Sequence, residues 1–313
     1  MPRVVVPALL IAVCLGSVRA QKGNAFAGRW DIEVSPTGAN AAIYPDWMEI
    51  TEKDGVATMR IQPRGGGVFP VTEFKVSGTH LTVTWPRNDA KAPVITWDLD
   101  RTEDRLAGTE KRGGTIAAYL AGMRAPALDR KPPAAWTDPQ PIFNGKDLSG
   151  WEPIGTAKNN WSVKDGDLVN RAAGANLKTS RSFNDFKLHV EFICPSEGNS
   201  GIYLRGRYEV QIEYQAVDAN DPLHGMGSIY GFVAPTVNVQ RKPGTWETFD
   251  ITLVGRRVNV FRNRIKTIDN QEIPGPTGGA LDANESEPGP FYIQGDHTGG
   301  LGFRNITVQL PKR

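Results

Sequence analysis

The densest alternation in the chain runs from Gly198 to Tyr214, G-N-S-G-I-Y-L-R-G-R-Y-E-V-Q-I-E-Y. Apolar and polar residues take turns, which is the period of a strand with one buried face, and a glycine-containing turn divides the run in two. A three-residue loop of Gly206, Arg207 and Tyr208 sets Arg205 opposite Glu209, Tyr203 opposite Gln211, Leu204 opposite Val210 and Ile202 opposite Ile212. One face is then aliphatic and the other carries Tyr203, Arg205, Glu209 and Gln211. A two-residue loop would set Leu204 against Glu209 and mix the faces, so the pattern favours the longer loop.

The same period recurs along the whole chain. Gly28–Val34 alternates Trp30, Ile32 and Val34 inward, and further runs follow at Trp47–Thr51, Ala57–Gln62, Val71–Val76, Leu81–Trp85 and Ile95–Leu99. Asp54-Gly55, Gly65-Gly66-Gly67, Ser77-Gly78 and Arg87-Asn88-Asp89 supply turns between them. Short strands joined in sequence predict an antiparallel meander closing into a small barrel over residues 21–130. Its Gly-x-Trp opening resembles a lipocalin-type barrel. The glycine triplet has no Lys-Ser/Thr sequel and reads as a turn, not a phosphate loop. Lys131–Pro141 holds four prolines and predicts an extended, semi-rigid connector over 131–140. From 141 to 313 nearly every segment is a strand candidate bounded by Gly, Asp-Gly, Pro or Asn, with no 3.6-residue apolar stripe. The expected class is all-β throughout, with the second part a sandwich of about a dozen strands.

Composition alters this picture in two places. The 313 residues carry 36 basic and 34 acidic side chains, a net charge of +2 that gives no reason to expect a nucleic-acid or anionic-membrane partner. Met1-Pro2-Arg3, the apolar run Val4–Gly16 and Val18-Arg19-Ala20 have the form of a secretory signal peptide cut after Ala20. A secreted or periplasmic protein is therefore expected, with no transmembrane segment. Cys14 would leave with the leader, and Cys194, in strand F-I-C, is expected to be buried and inert.

The polar hairpin face suits the gripping of a sugar. F-N-G-K-D-L-S-G-W (143–151), N-S-G-I-Y-L-R-G (199–206), Y-E-V-Q-I (208–212), G-T-W-E-T (244–248) and F-R-N-I (303–306) together resemble the 3-keto-disaccharide hydrolase family, over residues about 141 to 311. The resemblance implies a concanavalin A-like jelly-roll. It also implies an exported enzyme cleaving glycosides already oxidised at C3, with a carbohydrate as partner. A C3 ketone acidifies the C2 proton, so a base can remove it, the C1 substituent can leave by β-elimination, and water can add back. Such a site needs a base near C2, a stabiliser for the enolate oxygen and an acid for the leaving group. Glu209 is the candidate base or metal ligand, Arg205 the enolate stabiliser and Gln211 a sugar hydrogen-bonder. His297, in the loop G-D-H-T-G-G, is the candidate mobile acid or base. Tyr203, Tyr230, Trp246 and Gln294 are candidates for contacts with the ring. Glu209 and His297, with Asp296, could hold a divalent metal acting on the keto oxygen, although no H-x-H or H-E-x-x-H spacing argues for one.

Plainer readings stand beside these. Arg205 and Glu209 could be a cross-strand ion pair worth about 0.2–1 kcal/mol. Trp246 could be core, His224 a solvated loop residue and His189 a residue of an outer strand face. Glu209 and Glu213 have the spacing of the acid pair of jelly-roll glucanases, but Gln211 replaces the middle acid. The fold also serves lectins, which makes a non-catalytic carbohydrate-binding module the third reading.

Overall fold

The computed structural model describes residues 24–39, 41–86, 91–214 and 221–312. The expected leader with Cys14 and the turn at Arg87-Asn88-Asp89 lie outside them. The described residues are strands and connections with no helix, and none is a helix long and apolar enough to cross a membrane. The all-β expectation holds.

The first nine strands are β1 (Gly28–Pro36), β2 (Tyr44–Lys53), β3 (Val56–Gln62), β4 (Phe69–Val71), β5 (Glu73–Ser77), β6 (His80–Trp85), β7 (Ile95–Thr102), β8 (Arg105–Arg112) and β9 (Thr115–Arg124). They form one antiparallel sheet in the order β4-β3-β2-β1-β9-β8-β7-β6-β5. Chain neighbours pair everywhere except between β4 and β5, and β1 and β9 join the two runs. The predicted run Val71–Val76 breaks at Thr72 so that β4 and β5 take opposite edges. That break brings the two ends of the sheet round towards each other, and the result is a nearly closed barrel. Trp30, Ile32, Val34, Met48, Ile50, Leu81, Val83, Trp97 and Leu99 fill its interior. β8 and β9 escape the alternation reading because their sequences, R-L-A-G-T-E-K-R and T-I-A-A-Y-L-A-G-M-R, are rich in small residues that blur inward and outward positions.

The remaining strands are β10 (Gln140–Pro141), β11 (Trp151–Ile154), β12 (Trp161–Lys164), β13 (Asp167–Asn170), β14 (Asn176–Thr179), β15 (Phe186–Ile193), β16 (Asn199–Leu204), β17 (Tyr208–Glu213), β18 (Trp246–Val254), β19 (Arg257–Arg262), β20 (Ile265–Glu272), β21 (Tyr292–Ile293) and β22 (Leu301–Gln309). Two antiparallel sheets result: β12-β13-β22-β15-β18-β19-β20, with β10 on β22, and β11-β14-β21-β16-β17. The inward faces of the two sheets share one apolar core, which includes Phe186, Phe192, Ile202, Val210, Ile212, Phe249, Phe291 and Phe303. This is a sandwich of jelly-roll type. Cys194 is part of this core, and burial pushes its thiol up to about 12, with nearby Glu247 adding to the effect. The proline-rich connector is pinned rather than free, since Thr137 N–H donates to the Leu310 carbonyl at 2.8 Å and β10 pairs with β22.

Candidate active site

The hairpin lies where the alternation put it, but one step out of register. β16 pairs with β17 through Leu204↔Tyr208, Tyr203↔Glu209, Ile202↔Val210, Gly201↔Gln211 and Asn199↔Glu213. The loop is Arg205-Gly206-Arg207, closed by Arg207 N–H to the Leu204 carbonyl at 3.0 Å. Arg205 and Gly206 have φ of 53° and 69°, a turn of primed type whose twist matches that of the strands. Glycine therefore serves the second left-handed position, not the first loop position. Ile202, Leu204, Val210 and Ile212 still face the core, joined by Tyr208. Tyr203, Glu209 and Gln211 still share the other face, but Glu209 faces Tyr203 rather than Arg205.

That face floors a cleft of about 430 Å³, within the roughly 300–1,000 Å³ of small-molecule sites. Glu209 and Gln211 come from β17, Asn199 and Tyr203 from β16, Tyr292 from β21 with Gln294 just beyond, and Asn176 from β14. Tyr203 and Tyr292 stack with centroids 3.8 Å apart at 11°, and their hydroxyls donate to the Gly278 and Gly279 carbonyls at 2.7 and 2.6 Å. The Glu209 carboxylate lies over Gly201, where any Cβ would collide with it. Its backbone is clamped on both sides, N–H to Thr277 Oγ1 at 3.0 Å and carbonyl from Tyr230 N–H at 3.1 Å.

Glu209 is the electrostatic centre of this floor. It is 3 % exposed, and among the described residues no cation pairs with it. Burial raises its pKa well above the ordinary carboxylate range. The Tyr203 hydroxyl opposes the shift, and the charges of Asp296 and Glu213 reinforce it. The loop after β21 brings a second proton carrier to the same cleft. Thr298 Oγ1 takes the Asn199 N–H at 2.8 Å and returns a bond to the Asn199 carbonyl at 3.0 Å, which fixes this loop to the hairpin. His297, half-exposed, holds Asp296 through Nδ1 at 2.7 Å. That bond raises the imidazole pKa, against burial and with help from the charges of Asp296 and Glu213. Burial pushes Asp296 up, but its bond and charge pairing with His297 and the Asn176 amide hold it below its usual value. Tyr230 also lines the cleft, its hydroxyl pushed up to about 12 by burial and then by Glu209. Gln211 Oε1 and Gln294 Oε1 are buried acceptors without a protein donor among the described residues. Each is available to a sugar hydroxyl.

Tyr203, Glu209, Gln211, Tyr230, Gln294 and His297 thus converge, whereas two candidates do not. Arg205 is fully buried outside the cleft and donates to the Gly255 carbonyl at 2.7 Å and to the Tyr208 hydroxyl at 3.1 Å. Sitting in the turn instead of the strand, it points away from the Glu209 face, so the enolate-stabiliser assignment is withdrawn. Trp246 opens β18 of the other sheet, half-buried under the Arg304 guanidinium at 3.8 Å, and does not line the cleft. His189 pairs with Asp250 on an outer face as expected. His224 is not simply solvated: it packs edge-on against Tyr230 at 4.6 Å. Glu213 lies beyond the lining and accepts from Gln211 Nε2 at 2.7 Å. A cation would be offered Glu209, Asp296 and His297. No three His, Cys, Asp or Glu among the described residues converge at ligating distances, so no step below is routed through a metal.

The sequence reading missed the cleft's other wall. Ile43, Tyr44 and Pro45 at the start of β2, and Arg64 and Gly65 after β3, line it together with Gly278–Leu281 and Ile154. No local pattern announces such residues, because they reach the cleft only through packing of the barrel on the sandwich.

The model of the 3-keto-alpha-glucoside-1,2-lyase-like domain matches residues 138–309. Among solved structures, a provisionally assigned glycosyl hydrolase of Parabacteroides distasonis is 29 % identical, covering 58 % of this chain and 93 % of its own at a TM-score of 0.47. A second from the same organism is 21 % identical over 56 % and 93 %, with a TM-score of 0.44. A carbohydrate-binding module of Bacillus subtilis is 16 % identical over 51 % and 95 %, with a TM-score of 0.32. No curated protein matches the chain.

Proposed function

The chain belongs to the 3-keto-alpha-glucoside-1,2-lyase-like family and is a carbohydrate-active enzyme, and from that premise we propose that it is exported and cleaves 3-keto-glycosides by elimination and rehydration. The leader, the barrel to residue 130, the connector 131–140 and the catalytic sandwich from 141 are the proposed division of the chain. The observation that carries the proposal is Glu209: a buried carboxyl with a raised pKa and no ion-pair partner among the described residues, in the cleft of the family-matched segment.

As a carboxylate, Glu209 takes the C2 proton of the 3-keto sugar. The electron pair of that C–H bond forms C1=C2 as the C1–O bond breaks, and protonated His297 gives its proton to the departing oxygen. The C3 oxygen gathers negative charge on the way and accepts from Tyr230, a hydroxyl that keeps its proton at neutral pH. Gln211 and Gln294 accept from ring hydroxyls through their open carbonyl oxygens. Water then adds at C1 and gives its proton to His297, and C2 recovers a proton from Glu209 after that carboxyl has exchanged with solvent in the cleft. The net change is hydrolysis, and release before water adds would make the same enzyme a lyase. In the glucanase reading Glu213 would act directly on C1, which its place outside the cleft lining does not favour.

The test is the substrate pair. A 3-keto-glycoside should be cleaved and its unoxidised parent left intact, because only the ketone makes C2–H acidic enough for a carboxylate. Equal turnover of both would reject the elimination.

A further inference from the structure

Resting on the proposed placement of the sugar over Glu209, we infer that the barrel builds the leaving-group half of the cleft, and that this half takes an aromatic aglycone rather than a second sugar. The two halves differ in chemistry. The sandwich floor presents Glu209, Gln211, Gln294 and Asp296, a surface matched to a ring of hydroxyls. The facing wall presents Ile43, Tyr44 and Pro45, extended by Ile154 and Leu281. Ile43 is 58 % exposed although it sits at the mouth of a strand whose next residues are core. A hydroxylated ring laid on that wall would lose water from its hydroxyls with few acceptors in return, whereas a planar apolar ring gains from the burial.

One cation lies on this side. The Arg64 guanidinium sits over the Tyr44 ring at 4.6 Å, and among the described residues no carboxylate forms an ion pair with it. Nearby Asp46 takes a backbone bond from Arg64, and burial, chief among several causes, pushes that carboxyl's pKa above its usual value. A flat cation stacked on a phenol ring is a platform on which a third flat ring can stack.

The wall is built in and does not swing. The glycine triplet after Arg64 is wedged between two sandwich loops, and a Cβ at Gly67 would collide with the His224 imidazole. Trp47, three residues beyond Tyr44, is fully buried and packs edge-on against Phe232 at 5.1 Å. Arg29 on β1 pairs with Glu272 on β20. The barrel thus positions Ile43, Tyr44 and Arg64 as firmly as the sandwich positions Glu209.

Binding of unoxidised sugars to the full-length protein tests this without requiring turnover, so it can fail or succeed independently of the elimination mechanism. Phenyl α-glucoside, methyl α-glucoside and an α-linked glucose disaccharide are titrated by calorimetry. Phenyl should bind about tenfold tighter than methyl, as expected for burying one ring face, and the disaccharide no tighter than methyl. Ile43→Ser and Tyr44→Ala should each erode the phenyl advantage and leave methyl binding unchanged; because Ile43 is exposed, Ile43→Ser should also keep the wild-type melting temperature. A disaccharide that outbinds phenyl, a phenyl affinity equal to methyl, or a phenyl advantage surviving in both variants would overturn the inference.

Discussion

Two buried polar clusters share one hairpin and have opposite chemistry. At its turn, Tyr208 donates to Glu285 at 2.6 Å, Arg256 pairs with Glu285, and Arg205 donates to Tyr208 and to the Gly255 carbonyl. Arg207 holds Asp282 at 2.7 Å beside them. Every carboxylate there that the sandwich supplies has a guanidinium. One residue away along β17, Glu209 has none among the described residues. The difference separates structural charge from reactive charge. A buried carboxylate gripped by a fixed guanidinium has its charge balanced in place, whereas one raised by burial with no such partner is suited to proton transfer.

Removing the key member of each cluster breaks the comparison most sharply. Glu285→Ala should lower unfolding free energy by about 3–5 kcal/mol, because it leaves buried Arg256 unpaired; denaturant titration measures it. Glu209→Gln should fold at least as well as the wild type but lose about 100-fold or more in single-turnover rate, the usual scale for a positioned base. His297→Ala should lose a comparable factor without unfolding. If Glu209→Gln unfolds and Glu285→Ala merely slows turnover, the two assignments are reversed.

Arg205→Lys comes next in size. Placement in the turn makes it a stability variant: about 1–3 kcal/mol should be lost as a planar donor to Gly255 and Tyr208 disappears, with turnover of the folded fraction unchanged. Thermal unfolding alongside activity separates the two readouts.

The pH dependence is smaller and has a fixed sign. The folded-state pKa of Glu209 lies above its unfolded value, so its contribution to stability is whole below the ordinary carboxylate range and is lost as pH rises through the raised value. Asp31 on β1 shifts the same way, chiefly by burial and then by Glu285. The raised His297 imidazole also loses its contribution as pH rises through its folded value. Melting temperature should therefore fall toward alkaline pH, less steeply in Glu209→Gln and in Asp31→Asn. Turnover should rise as Glu209 ionises, above the ordinary carboxylate range, and fall once His297 deprotonates. The smallest effect belongs to Glu213→Gln, whose turnover should stay within a few-fold of wild type.

Strand positions and facing were readable wherever large residues alternate, as in β1, β6 and the hairpin. They were unreadable in β8 and β9, where alanine and glycine occupy both faces. The hairpin faces followed from period two, but the register did not, because Arg205 adopts a left-handed conformation that a sequence reader reserves for glycine. That one step removed Arg205 from the site and gave Tyr203 its place opposite Glu209. His297 and Gln294 were legible as a polar loop after a strand. Tyr44 and Arg64 were not, since their role depends on docking between elements more than a hundred residues apart.

Proton transfer at C2 is the central claim, and deuterium reads it directly. A 3-keto-glycoside is cleaved in deuterium oxide under initial-rate conditions, and the released 3-keto sugar is analysed by mass spectrometry and proton NMR. The account expects deuterium at C2 in step with cleavage, with both falling together in Glu209→Gln. Cleavage that leaves C2 fully protonated would contradict it.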